Sequence, residues 1–147
     1  MVYEFVEKFV DGYMTRAVKT VTRDVTMREL NDMFSYDDFN AYPVIEDSQV
    51  IGLVTKLDFL KCFAFTLDTM VPRYEDLMKR TVSEVMTDRY IYAQEKTRIT
   101  RVLQLMVEHR IRSIPVIDAD QRLMGIISRE DVMRALRDAT GGKLRPN

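Results

Sequence analysis

The feature that most limits what this chain can fold into is a pattern that it contains twice. Met14-Thr15 recurs as Met86-Thr87, and Pro43-Val44-Ile45 recurs as Pro115-Val116-Ile117, both at the same offset (86 − 14 = 72; 115 − 43 = 72). Gly52, Thr55 and Asp58 recur as Gly125, Ser128 and Asp131, one position further on (125 − 52 = 73). The slip falls between Glu46 and Val50 in the first copy and between Asp118 and Leu123 in the second. Both are polar segments between apolar runs, where a surface turn absorbs an extra residue. Each copy is therefore one supersecondary unit, and a residue in one half has to be read against its counterpart in the other.

Periodicity sets the order of elements within a copy. Val18 to Val21, and Tyr90 to Tyr92, are short strand-like runs. A helix follows in each. In the first copy Thr26 and Glu29 have the spacing of a capping box, and Met27, Leu30, Met33 and Phe34 form an apolar stripe; Ile99, Val102, Leu103, Met106 and Val107 form its counterpart. Two β-rich runs come next, Tyr42 to Ile45 with Val50 to Val54, and Ile114 to Ile117 with Leu123 to Ile127, each a hairpin opened by a proline. A second helix begins at Thr55 or Ser128 and carries Phe59, Leu60 and Phe63, or Val132, Met133 and Leu136. The expected fold is α/β (α+β), two βαββα repeats. Neither repeat is large enough to bury its own sheet face, so the two are expected to pack sheet to sheet about a pseudo-two-fold axis. The expected boundaries are 1–65 for the first repeat with an amphipathic lead-in helix over 2–9, 66–81 for a linker containing Pro72, 82–138 for the second repeat, and 139–147 for a flexible tail.

Composition narrows the function classes. Of 147 residues, 46% are hydrophobic and 31% charged, which excludes a collagenous or disordered chain. Twenty-two Lys and Arg against 23 Asp and Glu leave a net charge of −1, so no overall field draws the chain to nucleic acid, and the basic GGKLRPN end is the only pointer toward it. No stretch stays uncharged long enough to cross a bilayer. A single cysteine, Cys62, among Leu60, Phe63 and Phe65, reads as a small apolar filler in a reducing compartment, and a cytoplasmic location is expected. The methionines fall mostly at inward-facing helix positions and read as core. There is no GxSxG elbow, GxxxxGK loop or GxGxxG, and one His with one Cys suggests no dyad, so no catalytic or metal-ligating residue is assigned and an enzyme is not expected.

The succession of Met-Thr, a strand, an amphipathic helix, Pro-Val-Ile, then Gly52-Leu53-Val54-Thr55-Lys56-Leu57-Asp58 or Gly125-Ile126-Ile127-Ser128-Arg129-Glu130-Asp131, resembles the cystathionine-beta-synthase (CBS) domain. Two tandem copies resemble the CBS pair, or Bateman module, over roughly residues 8–138. The resemblance implies a regulatory binding module with AMP, ADP, ATP or S-adenosylmethionine in a cleft between the repeats, no required cofactor, pairing as a homodimer, and signalling to an unidentified effector protein. It also implies roles for particular residues. Thr55 with Asp58, and Ser128 with Asp131, match the ribose-binding motif. Thr15, Ala17, Val18 and Tyr42, and Thr87, Arg89, Tyr90, Ile114 and Pro115, match the adenine side. Phosphate contacts fall to Arg112, His109 and Arg110.

Each assignment has a plainer competitor. A hydroxyl residue followed three positions later by an acid is also an ordinary helix N-terminus. Tyr42 and Ile114 also read as strand core, and His109 and Arg110 as cations closing a helix. The first copy has Asp37-Asp38-Phe39-Asn40-Ala41 where the second has His109-Arg110-Ile111-Arg112-Ser113, so two unequal sites are expected, a stronger one using Asp58 with Arg112 and a weaker or empty one around Asp131. The competing function is a CBS pair that serves only as a dimerisation or interaction module and binds no nucleotide.

Overall fold

The structure is a computed structural model that describes residues 3–64 and 73–141. Most of the first half of the expected linker, with Pro72, and the end of the chain from residue 142 lie outside the described residues. In chain order the elements are α1 (Tyr3–Val6), a 3-10 turn (Val10–Gly12), α2 (Met27–Tyr36), β1 (Ala41–Glu46), β2 (Gln49–Thr55), α3 (Lys56–Lys61), α4 (Tyr74–Met78), α5 (Val82–Val85), α6 (Ile99–His109), β3 (Ser113–Ile117), β4 (Leu123–Ser128) and α7 (Arg129–Thr140). The fold is mixed α/β, with two antiparallel two-stranded sheets, β1-β2 and β3-β4.

The chain forms two compact units that do not coincide with its two sequence copies. A contiguous unit is made of Lys19–Tyr90, and a split unit of Met1–Val18 with Ile91–Asn147. The Met-Thr segment that opens each copy therefore belongs to the unit built on the other copy's hairpin.

In the contiguous unit, α2 starts where expected. Thr26 Oγ1 accepts the Glu29 N–H at 3.2 Å, and Met27 and Leu30 are fully buried against Val44, Val54 and Val82. Met33, Phe34 and Phe59 flank that cluster and are partly buried. The β1-β2 hairpin closes through Asp47 and Ser48, both at positive φ, as a two-residue turn matching strand twist requires. The first strand expected in each copy is much shorter than predicted. In the first copy only Val21 bridges, to Val44, and in the second no residue of Tyr90 to Tyr92 does, the bridge to Val116 being made by the next residue, Ala93, both in parallel. Val21 N–H donates to the Pro43 carbonyl and its own carbonyl accepts from Ile45 N–H, after which the chain turns into α2. The second part of the expected linker holds α4, whose Tyr74 ring stacks on Phe63 with centroids 6.3 Å apart.

In the split unit, Ile99, Val102 and Met106 of α6 are buried with Ile114, Val116, Ile127, Val132 and Ala135. Leu103 and Val107, expected in the same stripe, are 38% and 69% exposed. The buried arc spans one helix side at 99, 102 and 106, and their positions fall beyond its edge. Met133, expected in the core with the other methionines, is likewise exposed, as is Leu60, while Phe63, expected on the second helix, lies past the end of the six-residue α3. The helix α7 continues through Ala139 and Thr140, both buried, two residues past the expected end of the repeat at 138. The extra residue of the second hairpin turn is held by Asp118, whose Oδ1 accepts from Asp120 N–H at 2.8 Å and Arg122 N–H at 2.9 Å.

Backbone and side chain approach closely at the repeated glycine in both units. A Cβ on Gly52 would meet Met86 Sδ at 2.8 Å and the Thr87 carbonyl at 3.0 Å, and one on Gly125 would meet the Thr15 carbonyl at 2.7 Å and Met14 Sδ at 2.8 Å. Because backbone stands in the way, Gly125→Ala and Gly52→Ala should each cost about 1–3 kcal/mol, the usual range for overpacking. Urea unfolding of the two variants checks this, and a midpoint equal to that of the native chain would contradict the packing.

Candidate functional site

Each unit carries one copy of the hydroxyl-x-x-Asp motif at the junction of its second strand and last helix, crossed by the Met-Thr segment of the other copy. In the contiguous unit, Leu53 and Thr87 exchange two backbone hydrogen bonds, Leu53 N–H to the Thr87 carbonyl at 2.9 Å and Thr87 N–H to the Leu53 carbonyl at 2.8 Å. Two residues beyond Leu53, Thr55 caps α3 in a complete capping box. Its Oγ1 accepts Asp58 N–H at 3.0 Å, and Asp58 Oδ2 accepts Thr55 N–H at 3.0 Å. The bonds at Leu53 bring Thr87 to the carboxylate, with Oγ1 3.3 Å from Oδ2 and 3.4 Å from Oδ1 of Asp58. Tyr90, further along the same segment, donates its hydroxyl to the Val50 carbonyl at 2.9 Å. Thr55, Asp58 and Thr87 are thus brought together, whereas Tyr90 is bonded to Val50, five residues before Thr55 on β2, and Arg89 is exposed between Thr87 and Tyr90.

The split unit repeats the backbone and differs at the acid. Thr15 N–H donates to the Ile126 carbonyl at 2.8 Å, and Ile126 N–H returns the bond at 2.9 Å. Ser128 caps α7, accepting Asp131 N–H at 3.3 Å, and both its N–H (2.9 Å) and its hydroxyl (3.0 Å) donate to Asp131 Oδ2. The other oxygen, Oδ1, accepts from Arg134 Nη1 at 3.2 Å. Arg134 Nη2 donates to the Tyr13 carbonyl at 2.8 Å, and the guanidinium lies 5.5 Å from the centre of the Tyr13 ring. Asp131 is 5% exposed. The corresponding position in the first copy is Lys61, exposed on α3, which makes no ion pair with a described residue. The sequence pattern alone does not mark Arg134. The available signal was its position three residues after Asp131 on a helix, where side chains are neighbours.

The remaining candidates separate. Thr15 and Ala17 are exposed and Val18 half-buried at the β4 crossing. Tyr42 and Ile114 have no exposed surface and Pro115 is buried, so the structure places them in the strand core. His109 ends α6 and Arg110 is its C-cap in the left-handed region (φ 54°), with its N–H donated to the Met106 carbonyl. Arg112 is exposed, and its carbonyl accepts Arg129 N–H at 3.1 Å next to the Ser113–Ser128 strand pair. Arg112 and Asp58 belong to different units. Cys62, expected as an apolar filler, has a cation against its thiol: Arg80 Nη1 lies 3.6 Å from its Sγ, with Arg80 Nε on Glu84 at 2.9 Å. Among the described residues no cluster of His, Cys, Asp or Glu could hold a metal ion, and no helix is long and apolar enough to cross a membrane.

These features have close parallels. The CBS domain family matches residues 10–64 and 82–138, so the chain belongs to the CBS domain family and carries two CBS repeats. Protein MJ1225 of Methanocaldococcus jannaschii is 26% identical over 129 residues, covering 85% of this chain but only 46% of that protein. Its crystal structure matches with a TM-score of 0.80 at 24% identity over 86% of this chain and 47% of the other. A structure of CBSX2, a CBS-pair protein of Arabidopsis thaliana, in complex with AMP matches at 0.76 (23% identity, 88% and 96% covered). The CBS domain pair of protein MJ0100 in complex with 5′-methylthioadenosine and S-adenosyl-L-methionine matches at 0.73 (23% identity, 92% and 98% covered). At these identities the structural matches establish the fold.

Beside the site, Tyr42 is held by an ion pair. Its hydroxyl donates to Asp37 Oδ2 at 2.9 Å, and Lys19 Nζ lies 2.7 Å from Oδ1. The bond from Lys19, then that from Tyr42, holds the Asp37 carboxyl below its ordinary value of 3.8, while burial, then Asp37, pushes the Tyr42 phenol well up. A lowered folded-state value stabilises the protein above pH 3.8, and the contribution is lost as pH falls through the folded value. Asp37→Asn should therefore lower the urea midpoint at pH 7, with the gap to the native chain closing as pH falls below 3.8. A gap that stays constant between pH 7 and pH 2 would contradict this.

Proposed function

We propose that the protein is a regulatory sensor that binds an adenosine-containing small molecule, AMP, ADP, ATP or S-adenosylmethionine, with Asp58 accepting its ribose hydroxyls. The observation that carries this reading is the half-buried Asp58 carboxylate. Thr55 N–H fixes its orientation, and its remaining partner among the described residues is the hydroxyl of exposed Thr87. A cis-diol needs an oriented acceptor that its own hydroxyls can reach, the chemistry by which dinucleotide-binding folds hold ribose. Support also comes from AMP in CBSX2 and from 5′-methylthioadenosine and S-adenosyl-L-methionine in MJ0100.

In this reading the ligand acts by preferring one conformation of the protein, shifting the equilibrium only by its differential affinity. The output goes to a separate effector protein in the cytoplasm or to a second copy in a homodimer. Exposed Leu57 and Leu60 on α3 supply apolar surface for pairing.

One observation favours the plainer alternative, an interaction module that binds no nucleotide. Both acids complete capping boxes, so helix termination alone gives each a structural task. Thermal melts with AMP, ADP, ATP, S-adenosylmethionine or NADH separate the two readings. A ligand of the sensor at a hundredfold over its Kd should stabilise the native chain by about 2.7 kcal/mol, roughly 5–10 °C for a chain of this size. Asp58→Ala should abolish that shift. No shift with any compound at millimolar concentration would leave the interaction module, and a shift surviving in Asp58→Ala would remove the ribose contact from Asp58.

A further inference from the structure

We infer that Arg134 closes the second site: its guanidinium occupies the Asp131 carboxylate where a ribose diol would sit, so the protein takes one adenosine ligand per chain, at Asp58. The inference rests on the reading of the hydroxyl-x-x-Asp motifs as ribose acceptors and adds the group that closes the one around Asp131.

The two motifs are alike in backbone and in capping, so the difference between them lies in what else the carboxylate holds. Asp131 Oδ2 receives two donors from Ser128, and Oδ1 receives Arg134 Nη1 at 3.2 Å. A carboxylate has about four acceptor directions, and three are filled here. Arg134 is itself anchored at a second point, Nη2 on the Tyr13 carbonyl at 2.8 Å, and lies over the Tyr13 ring. Tyr13 is in turn fixed by its hydroxyl, which donates to Asp138 Oδ2 at 2.9 Å. The side chain of Asp131 is 7% exposed, so its charge is largely removed from water and the guanidinium is a stronger partner than it would be on an open surface. A diol would have to displace a charged, doubly tethered donor with two neutral ones. Among the described residues the only competitor at Asp58 is a neutral one, the Thr87 hydroxyl, at 3.3–3.4 Å, which one bond rotation removes. The first copy places Lys61 where Arg134 stands. A lysine has neither the planar fork nor the two separated donors that bridge Asp131 to Tyr13.

Isothermal titration of AMP and of S-adenosylmethionine tests this on the native chain, Arg134→Lys and Arg134→Ala. The native chain should bind one equivalent, lost in Asp58→Ala. Arg134→Lys, which copies the first repeat, should bind two, as should Arg134→Ala. The double variant Asp58→Ala/Arg134→Lys should keep one. A merely structural role for Arg134 would lower the melting temperature or weaken binding at Asp58 but would create no second site. Two equivalents bound by the native chain, or one equivalent bound by both folded Arg134 variants, would overturn the inference while leaving the sensor reading intact. No binding by native or variant chains would overturn both.

Discussion

The architecture depends on two close backbone crossings, Met14-Thr15 over Gly125 and Met86-Thr87 over Gly52. Each crossing is held by a reciprocal pair of N–H to carbonyl bonds and is passable only because the strand residue beneath has no side chain. From this the exchange of segments between copies follows. The start of each repeat is a structural part of the other's hairpin, so Val10 and Met14 sit in the core built on β3 and β4, and Val82 in the core built on β1 and β2. Neither hairpin is complete without chain contributed by the other copy. That is a physical reason for the repeat to occur as a pair.

The same crossings place the candidate site. Thr87 reaches Asp58 because Thr87 is bonded to Leu53, two residues before the cap of α3. The carboxylate thus serves local structure and remains an oriented acceptor at the same time. Capping and ligand binding need not exclude one another, since the box uses Oδ2 of Asp58 and the diol can be received at Oδ1. What separates the two copies is the third residue after the acid. Lysine in one and arginine in the other look interchangeable on charge, yet only the guanidinium spans Asp131 and the Tyr13 carbonyl.

Much of this was legible in the sequence. The repeat, the hairpins, the caps at Thr26, Thr55 and Ser128, and the buried faces at Met27 and Leu30 or Ile99, Val102 and Met106 follow from spacing, because local hydrogen bonding and helical periodicity determine them. Features that depend on contacts between distant segments were not legible. Val18 to Val21 has strand composition, but only Val21 finds a partner. Leu103 and Val107 match the period of the stripe, yet the buried core cluster takes only Ile99, Val102 and Met106 from this helix and leaves them exposed. Cys62 reads along the chain as an apolar filler, yet in space its Sγ meets Arg80, eighteen residues away. The repeated glycines stand out in the sequence as part of a family pattern, whereas the reason for them, a carbonyl about 3 Å from where a Cβ would lie, is visible only in three dimensions.

Amide hydrogen exchange at the crossings tests the exchange of segments most directly. Thr15 and Thr87 are exposed residues in segments without regular secondary structure on either side, and in an ordinary loop their amides would exchange as fast as those of Arg16 and Asp88. If both are bonded to the opposite copy's strand, their amides and those of Leu53 and Ile126 should exchange as slowly as the hairpin cores, with protection approaching that of global unfolding. Rates for Thr15 and Thr87 equal to those of their neighbours would show that the segments do not cross the strands.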